Sequence, residues 1–238
     1  TAMHQYLAAG SYTIMLEVKD TGGLTNSFYK IFTILEDSFE TGTLTDYDGN
    51  IYLTLKIGDQ WWMAENLKVT HYRNGDPISY APGGVWPSLF TGAQGFYSNN
   101  EEYVLTYGRM YNWYAVGDSR GLAPIGWHVP SRDEWQILVD YLGGDAIAGG
   151  KLKEAGTTHW LPPNTGATNE SGFTGLPGGG RDGQSGMDGG VGGGVSFWSS
   201  TETSIPESHR LSLEHNNSVA MINTSIMRTG CYIRCVKD

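Results

Sequence analysis

The sequence predicts an α+β fold: two helices and long loops precede a closing antiparallel sheet, and a short all-β N-terminal segment stands ahead of them. Three observations predict it. Apolar and polar residues alternate with period 2 near both ends of the chain, as in "YTIMLEVKD" at 12–20 and "HRLSLEH" at 209–215. A single strongly capped helical pattern occupies 131–142. Thirty-four glycines and only 17% charged residues require many tight turns between elements. Fourteen Tyr and eight Trp then supply much of the core volume.

Taken in order, residues 1–36 read as two strands joined by the turn "TGGL". Two strands alone are marginal in water, so this piece reads as part of a larger β domain. Residues 37–43 read as a linker and 44–238 as the main domain. Ile51, Leu53, Leu55 and Ile57 alternate into a strand, Gly58-Asp59 makes a two-residue turn, and "QWWMAENL" returns. Residues 70–106 have no sustained period and read as loops with short strands. "YGRMYNWYAVG", 107–117, reads as a short helix burying Met110, Trp113 and Tyr114.

The helix over 131–142 carries the fullest set of signals. Ser131 and Glu134 have capping-box spacing, and Asp133 and Glu134 place negative charge in the first turn. Trp135, Leu138, Val139 and Leu142 fall on one face, and Gly143-Gly144 ends the pattern. The two acids are thus explained by capping. His128, in extended backbone ahead of Pro130, reads as structural. A weaker helix spans roughly 145–155, marred by Gly149 and Gly150. Residues 156–195 read as loop, and "VSFWSS", "HRLSLEH", "SVAMIN" and "CYIRCV" as about four antiparallel strands.

Several function classes are excluded. Fifteen basic against 25 acidic residues give a net charge of −10, opposite to the footprint nucleic acid needs. No apolar run is long enough to span a membrane. Asp46, Asp48 and Asn50 resemble the start of a calcium loop, but the Gly and Glu that an EF-hand needs are replaced by Ile51 and Ile57. "LPGGGRDGQSGMDGGVGGG", 176–194, lacks the Gly-Lys-Ser/Thr of a phosphate loop and reads as flexible or tightly turning surface. If "CYIRCV" is a continuous strand, Cys231 and Cys235 lie about 13 Å apart at roughly 3.3 Å per residue. That is beyond the roughly 7 Å reach of a disulfide.

Two resemblances extend this reading. His4, Tyr6, Gly10, Tyr12, Thr13, Val18, Asp20 and Gly23 resemble the closing half of a PKD domain, an immunoglobulin-like extracellular spacer. The blocks "DYDGNIYLTLKIGDQWWMAENLKVTHYRNGDPI", "YGRMYNWYAVGDSRGLAPIGWHVPSRDEWQIL", "GGKLKEAGTTHW", "ATNESGFTGLPGG", "FWSSTE" and "IRCVKD" look like the Fibrobacter succinogenes major paralogous domain family, in the family's order. That family is similar in turn to C-type-lectin-like and sulfatase-modifying-factor folds, so a C-type-lectin-like domain is expected over 44–238. Many members carry a cysteine before "GWHVP" that could pair with the last one; here that stretch is "LAPIGWHVP", and Cys235 lacks this partner.

The resemblance also frames function. Sulfatase-modifying relatives oxidise a substrate cysteine with reactive thiols upstream of the last strand, but 196–230 contains no cysteine. No G-x-S-x-G elbow suggests a hydrolase. Calcium-binding lectins take oxygen ligands from a Pro-containing loop and a Trp-Asn-Asp strand, whereas this chain reads Trp198-Ser199-Ser200. The expectation is a non-catalytic binding or adhesion module of a bacterial surface protein, without cofactor or metal. It would be exported by a signal outside this sequence and would bind a surface protein or glycan. Its contact surface is expected on the closing strands, at Ser204, Glu207, His209, Ser212, Glu214, Asn216, Asn217, Asn223, Ser225 and Met227, with the glycine-rich loop of 177–194 beside them. A sharper variant makes 199–229 the window diversified by a retroelement.

Overall fold

The computed structural model describes residues 10–34 and 39–238. His4 and Tyr6 of the PKD-like pattern, and positions 37 and 38 of the expected linker, lie outside them. The chain divides into two compact units, Thr1–Phe39 and Glu40–Asp238. In the first, β1 (Gly10–Lys19) pairs antiparallel with β2 (Thr25–Ile34), Lys19 facing Thr25. Asp20 closes the turn, its carboxylate accepting the N–H groups of Gly22 at 2.8 Å and Leu24 at 2.9 Å. An aspartate bonding the backbone just ahead of it is a common way to fix a turn.

The second unit is α+β with strand predominating. Along the chain run β3 (Thr41–Thr45), β4 (Ile51–Ile57), β5 (Gln60–Met63), β6 (Ser79–Tyr80), β7 (Ala93–Gly95), α1 (Glu102–Tyr107), β8 (Met110–Tyr111), α2 (Trp113–Val116) and β9 (Trp127–His128). They are followed by α3 (Arg132–Tyr141), α4 (Asp145–Leu152), β10 (Gly178–Arg181), β11 (Asp188–Val191), β12 (Gly194–Glu202), β13 (Glu207–Glu214), β14 (Met221–Ile226) and β15 (Val236–Lys237). Two five-stranded sheets result, in the orders β3-β4-β5-β15-β9 and β11-β10-β12-β13-β14, with a small β6-β7-β8 sheet.

Helix α3 follows the local signals closely. Ser131 Oγ accepts the Glu134 N–H, and the Glu134 carboxylate accepts the Ser131 N–H at 2.7 Å, completing the capping box. Trp135, Leu138 and Val139 are fully buried. Gly143 and Gly144 leave the helix at φ of 103° and 92°, a region costly for side chains with a Cβ. The Trp135 ring sits 4.8 Å from Trp62 and about 6 Å from Phe173 and Phe197, centroid to centroid. This aromatic stack joins the helix to both large sheets. A second cluster around Tyr52, Met63, Tyr111, Trp198 and Ile233 contains both cysteines, which are free and buried.

Several expectations are corrected. Part of the expected linker, Thr41 to Thr43, belongs to β3, where Thr41 pairs with Leu55 and Thr43 with Leu53. Short polar edge strands carry almost no alternation signal, which is why it read as linker. The 70–106 region contains α1, a helix too short to show a period, with only Val104 and Tyr107 buried. The expected helix over 107–117 is broken: β8 intervenes, and the single turn of α2 starts where Asn112 accepts the Ala115 N–H. Met110 is fully buried there, but Trp113 and Tyr114 are only partly so. "CYIRCV" is not a continuous strand of the closing sheet: Tyr232 makes one parallel bridge to Phe197 of β12, Cys231 bridges Tyr111, and Val236 pairs with Trp62 and His128, so the last residues complete the first sheet. The glycine-rich stretch is an ordered hairpin, β10–β11, at the edge of the second sheet.

Glycines 149 and 150 cost α4 helix propensity for a reason found in packing. A Cβ on Gly149 would strike the Val219 carbonyl, and one on Gly150 the Gly166 carbonyl. The close approach lets the Gly150 N–H donate to Ser218 O at 3.1 Å and Thr168 N–H donate to Gly150 O at 3.0 Å.

Candidate functional site

A fold rich in loops must satisfy main-chain carbonyls that no ladder serves. Among the described residues, three cations no more than 1% exposed do this here. Arg234 donates to the carbonyls of Met63, Phe173 and Thr174 and to Asn66 Oδ1, with its guanidinium 4.4 Å from the Phe173 ring centroid. Arg181, 0% exposed, donates to Ala81 O, Phe96 O and Asn99 Oδ1 and forms a bidentate pair with Asp188 at 2.7 and 2.9 Å. Lys153 Nζ donates to the carbonyls of Thr165, Glu214 and Asn217 at 3.0, 3.0 and 2.8 Å. Burial pulls its pKa down to about 8, with nearby Glu214 opposing. Three acceptors match the three protons of an ammonium, so the charged form suits this site at neutral pH.

Two of these cations hold the walls of a cleft. Arg181 fixes the β10–β11 hairpin against the 81–99 region, and Lys153 fixes the turn after β13. Between hairpin and sheet lies an open cleft of about 660 Å³. Main chain of Gly179, Gly180, Gly189, Gly190, Gly193 and Gly194 forms much of its wall, and Ser196, Arg210, Glu214, His215, Ser225 and Thr229 contribute polar groups. The floor follows from strand alternation. Along β13, Leu211 and Leu213 are buried on the core side, while Arg210, Ser212 and Glu214 point the other way. Ser212 pairs with Ser196 of β12, and Arg210 with Asn223 of β14. Their side chains form a chain of hydrogen bonds: Ser196 Oγ to Ser212 Oγ at 3.0 Å, Ser212 Oγ to Asn223 Oδ1 at 3.4 Å, and Arg210 Nε to Asn223 Oδ1 at 3.1 Å. Burial holds the Glu214 carboxyl above its ordinary value, partly offset by His215, Arg210 and Lys153. Burial also pushes the Cys231 thiol on the floor up to about 11, so it stays protonated at neutral pH.

The ten residues expected from sequence divide between surfaces. Ser212, Glu214, Asn223 and Ser225 lie on the cleft side. Glu207 and His209 occupy the alternate face of β13 that carries Leu211 and Leu213; Glu207 accepts the Thr224 hydroxyl at 2.7 Å, and His209 Nδ1 is buried without a partner among the described residues. Ser204 sits in the exposed turn before β13. Asn216 and Asn217 sit in the turn after it, Asn217 serving Lys153 through its carbonyl. Met227 was expected to face outward and does not: it is 3% exposed, and its main chain bonds Pro206 and Trp113. Sequence reasoning missed Arg210, Ser196 and Thr229. The signal was present, since Arg210 shares period-2 phase with Ser212 and Glu214 and opposes the leucines.

Elsewhere, His128 is half-buried between Asp238 at 2.7 Å and Glu134 at 2.8 Å. Burial disfavours the imidazolium, but these two carboxylate bonds outweigh it and raise the pKa above its ordinary value. It clamps the C-terminus to the start of α3. A tighter pocket of about 140 Å³ near Asp46, His71 and Arg73 is a packing seam, because Arg73 is engaged by the carbonyls of Ala123, Pro124 and Trp127. Asp46 caps the turn to Asn50 and accepts the Tyr52 hydroxyl at 2.6 Å, as a turn residue does. Among the described residues, no three His, Cys, Asp or Glu side chains converge as a metal site would need.

Fold and cleft together define an α+β domain of two five-stranded sheets with a polar groove beside its closing strands. Residues 55–237 match the Fibrobacter succinogenes major domain, and the chain belongs to that family. Comparisons with curated proteins and with solved structures give no match.

Proposed function

We propose that this protein is a non-catalytic, C-type-lectin-like binding module of a bacterial surface protein, and that its ligand occupies the cleft between the β10–β11 hairpin and the closing strands. The observation that carries this reading is a cleft of about 660 Å³ whose walls are built for rigidity. Small-ligand sites run from roughly 300 to 1,000 Å³. Buried Arg181 and Lys153 spend their donors on the walls rather than on chemistry. The Cys231 thiol is too basic to serve as a nucleophile near neutral pH. Hydroxyls and glycine main chain offer hydrogen bonds with little side-chain entropy to lose, which suits recognition. Protein or glycan displayed outside a cell fits such a surface.

The test is a glycan and surface-protein screen on wild type and Gly189→Trp, with and without EDTA. A Cβ at Gly189 would meet nothing within 4 Å, so a bulky residue fits there while obstructing the cleft. The expected result is EDTA-insensitive binding lost in the variant. Binding abolished by EDTA, or retained in full by Gly189→Trp, contradicts the reading.

A further inference from the structure

Resting on that reading of the cleft, we infer that its ligand presents a carboxylate to Arg210, and that the ligand is an acidic saccharide. Arg210 differs from every other arginine of the chain in its partners. Arg73, Arg181, Arg228 and Arg234 donate to main-chain carbonyls, and Arg109, Arg120 and Arg132 to carboxylates. Arg210 Nε donates to the neutral amide oxygen of Asn223, and the guanidinium also hydrogen-bonds the Cys231 thiol, so both of its partners are uncharged. Among the described residues it forms no ion pair with a carboxylate, although Glu214 lies near enough for the two charges to interact. A half-buried guanidinium keeps a planar fork of donors that matches a carboxylate in bidentate fashion. Asn223 and the serine chain behind it orient that fork, so little ordering is left to be done on binding.

The surroundings choose among carriers of a carboxylate. Asp182 and Glu214, neither in an ion pair among the described residues, border the same cleft, so a ligand of dense negative charge, such as a phosphate or a poly-acidic peptide, meets repulsion there. Val195 and Met187 are the main apolar side chains of the lining, which leaves little for a peptide's apolar groups to pack against. Hydroxyls of Ser196, Ser225 and Thr229 with the glycine main chain supply paired donors and acceptors at close range, the complement of a hydroxyl-rich ring. A sugar carrying one carboxylate satisfies both halves of the site.

The experiment is calorimetric titration of the whole chain with a tetrasaccharide bearing one uronate, its carboxyl-reduced neutral counterpart, and a hexaglutamate peptide. Wild type, Arg210→Gln and Arg210→Lys are compared, with melting curves confirming that each is folded. The uronate compound is expected to bind, to weaken with added salt, and to lose about tenfold or more in affinity in Arg210→Gln. Arg210→Lys keeps the charge without the fork and is expected between the two. The reduced compound is expected to bind wild type as weakly as the uronate binds Arg210→Gln. Equal binding of the uronate and its reduced counterpart, both blocked by Gly189→Trp, overturns the carboxylate while leaving the binding cleft standing. Preference for the peptide, or no binding of the uronate to wild type, overturns the saccharide assignment; the cleft reading is judged separately by its own screen.

Discussion

Replacing Trp135 with alanine empties the middle of the aromatic stack that joins α3 to both large sheets. The ring is fully buried, with Trp62, Phe173 and Phe197 on its sides. A tryptophan buries about 150–250 Å², worth about 4–6 kcal/mol at roughly 25 cal/mol per Å². Alanine retains part of this, and neighbours relax into part of the space. The walls, however, are the rings of Trp62 in β5, Phe197 in β12 and Phe173 in a segment whose carbonyl Arg234 holds, so collapse is limited and a loss in the upper half of about 3–5 kcal/mol is expected. Ser131→Ala removes only the cap of the same helix and is expected to cost about 1 kcal/mol. Urea unfolding of the two variants beside wild type measures both, read as midpoint shifts at constant slope. Losses of about 1 kcal/mol at both positions would refute the reasoning, because they would place Trp135 outside the core.

Three further outcomes follow from the same geometry. The raised His128 pKa means its bonds to Glu134 and Asp238 add stability that is full below the unfolded value of about 6.5 and is lost as pH rises through the folded value. Wild type should therefore lose stability relative to His128→Asn as pH rises above about 6.5; parallel pH profiles would contradict the clamp. Gly150→Ala should destabilise despite alanine's advantage of about 1 kcal/mol in helices, because its Cβ meets the Gly166 carbonyl, and a raised melting temperature would disprove that close approach. Lys153→Met leaves three carbonyls without their donor and should cost about 2–4 kcal/mol while loosening the 214–217 turn; a neutral change would show that water replaces the ammonium.

What could be read from sequence was what is written locally. The α3 capping box, its buried face and its glycine stop fall within fourteen consecutive residues (131–144) and were legible in full. The β4–β5 hairpin was legible for the same reason. Sheet order was not: Val236 pairs with Trp62 and His128, a closure decided by packing that no window of sequence contains. The β10–β11 hairpin was hidden because glycine carries no alternation; what orders it is Arg181, whose partners lie up to 100 residues away. The cleft was half legible. Of the ten expected residues Glu214 and Ser225 line it, Ser212 and Asn223 share the strand face of Arg210, and Glu207 and His209 lie on the opposite face of β13, a phase difference that period-2 counting along "ESHRLSLE" contains. Lysine and arginine used as struts look in sequence like any solvated charge.

The central claim, that ligand sits between the hairpin and the closing strands, is tested most directly by a hydrogen–deuterium exchange footprint with the tightest ligand from the screen. Protection is expected to concentrate in 178–196 and 210–231, including amides of the glycine wall, with α3 and the first sheet unchanged. Protection confined to residues 80–103, which carry Tyr80, Phe90, Tyr97 and Tyr103, with the hairpin exchanging as in the free protein, would contradict the account.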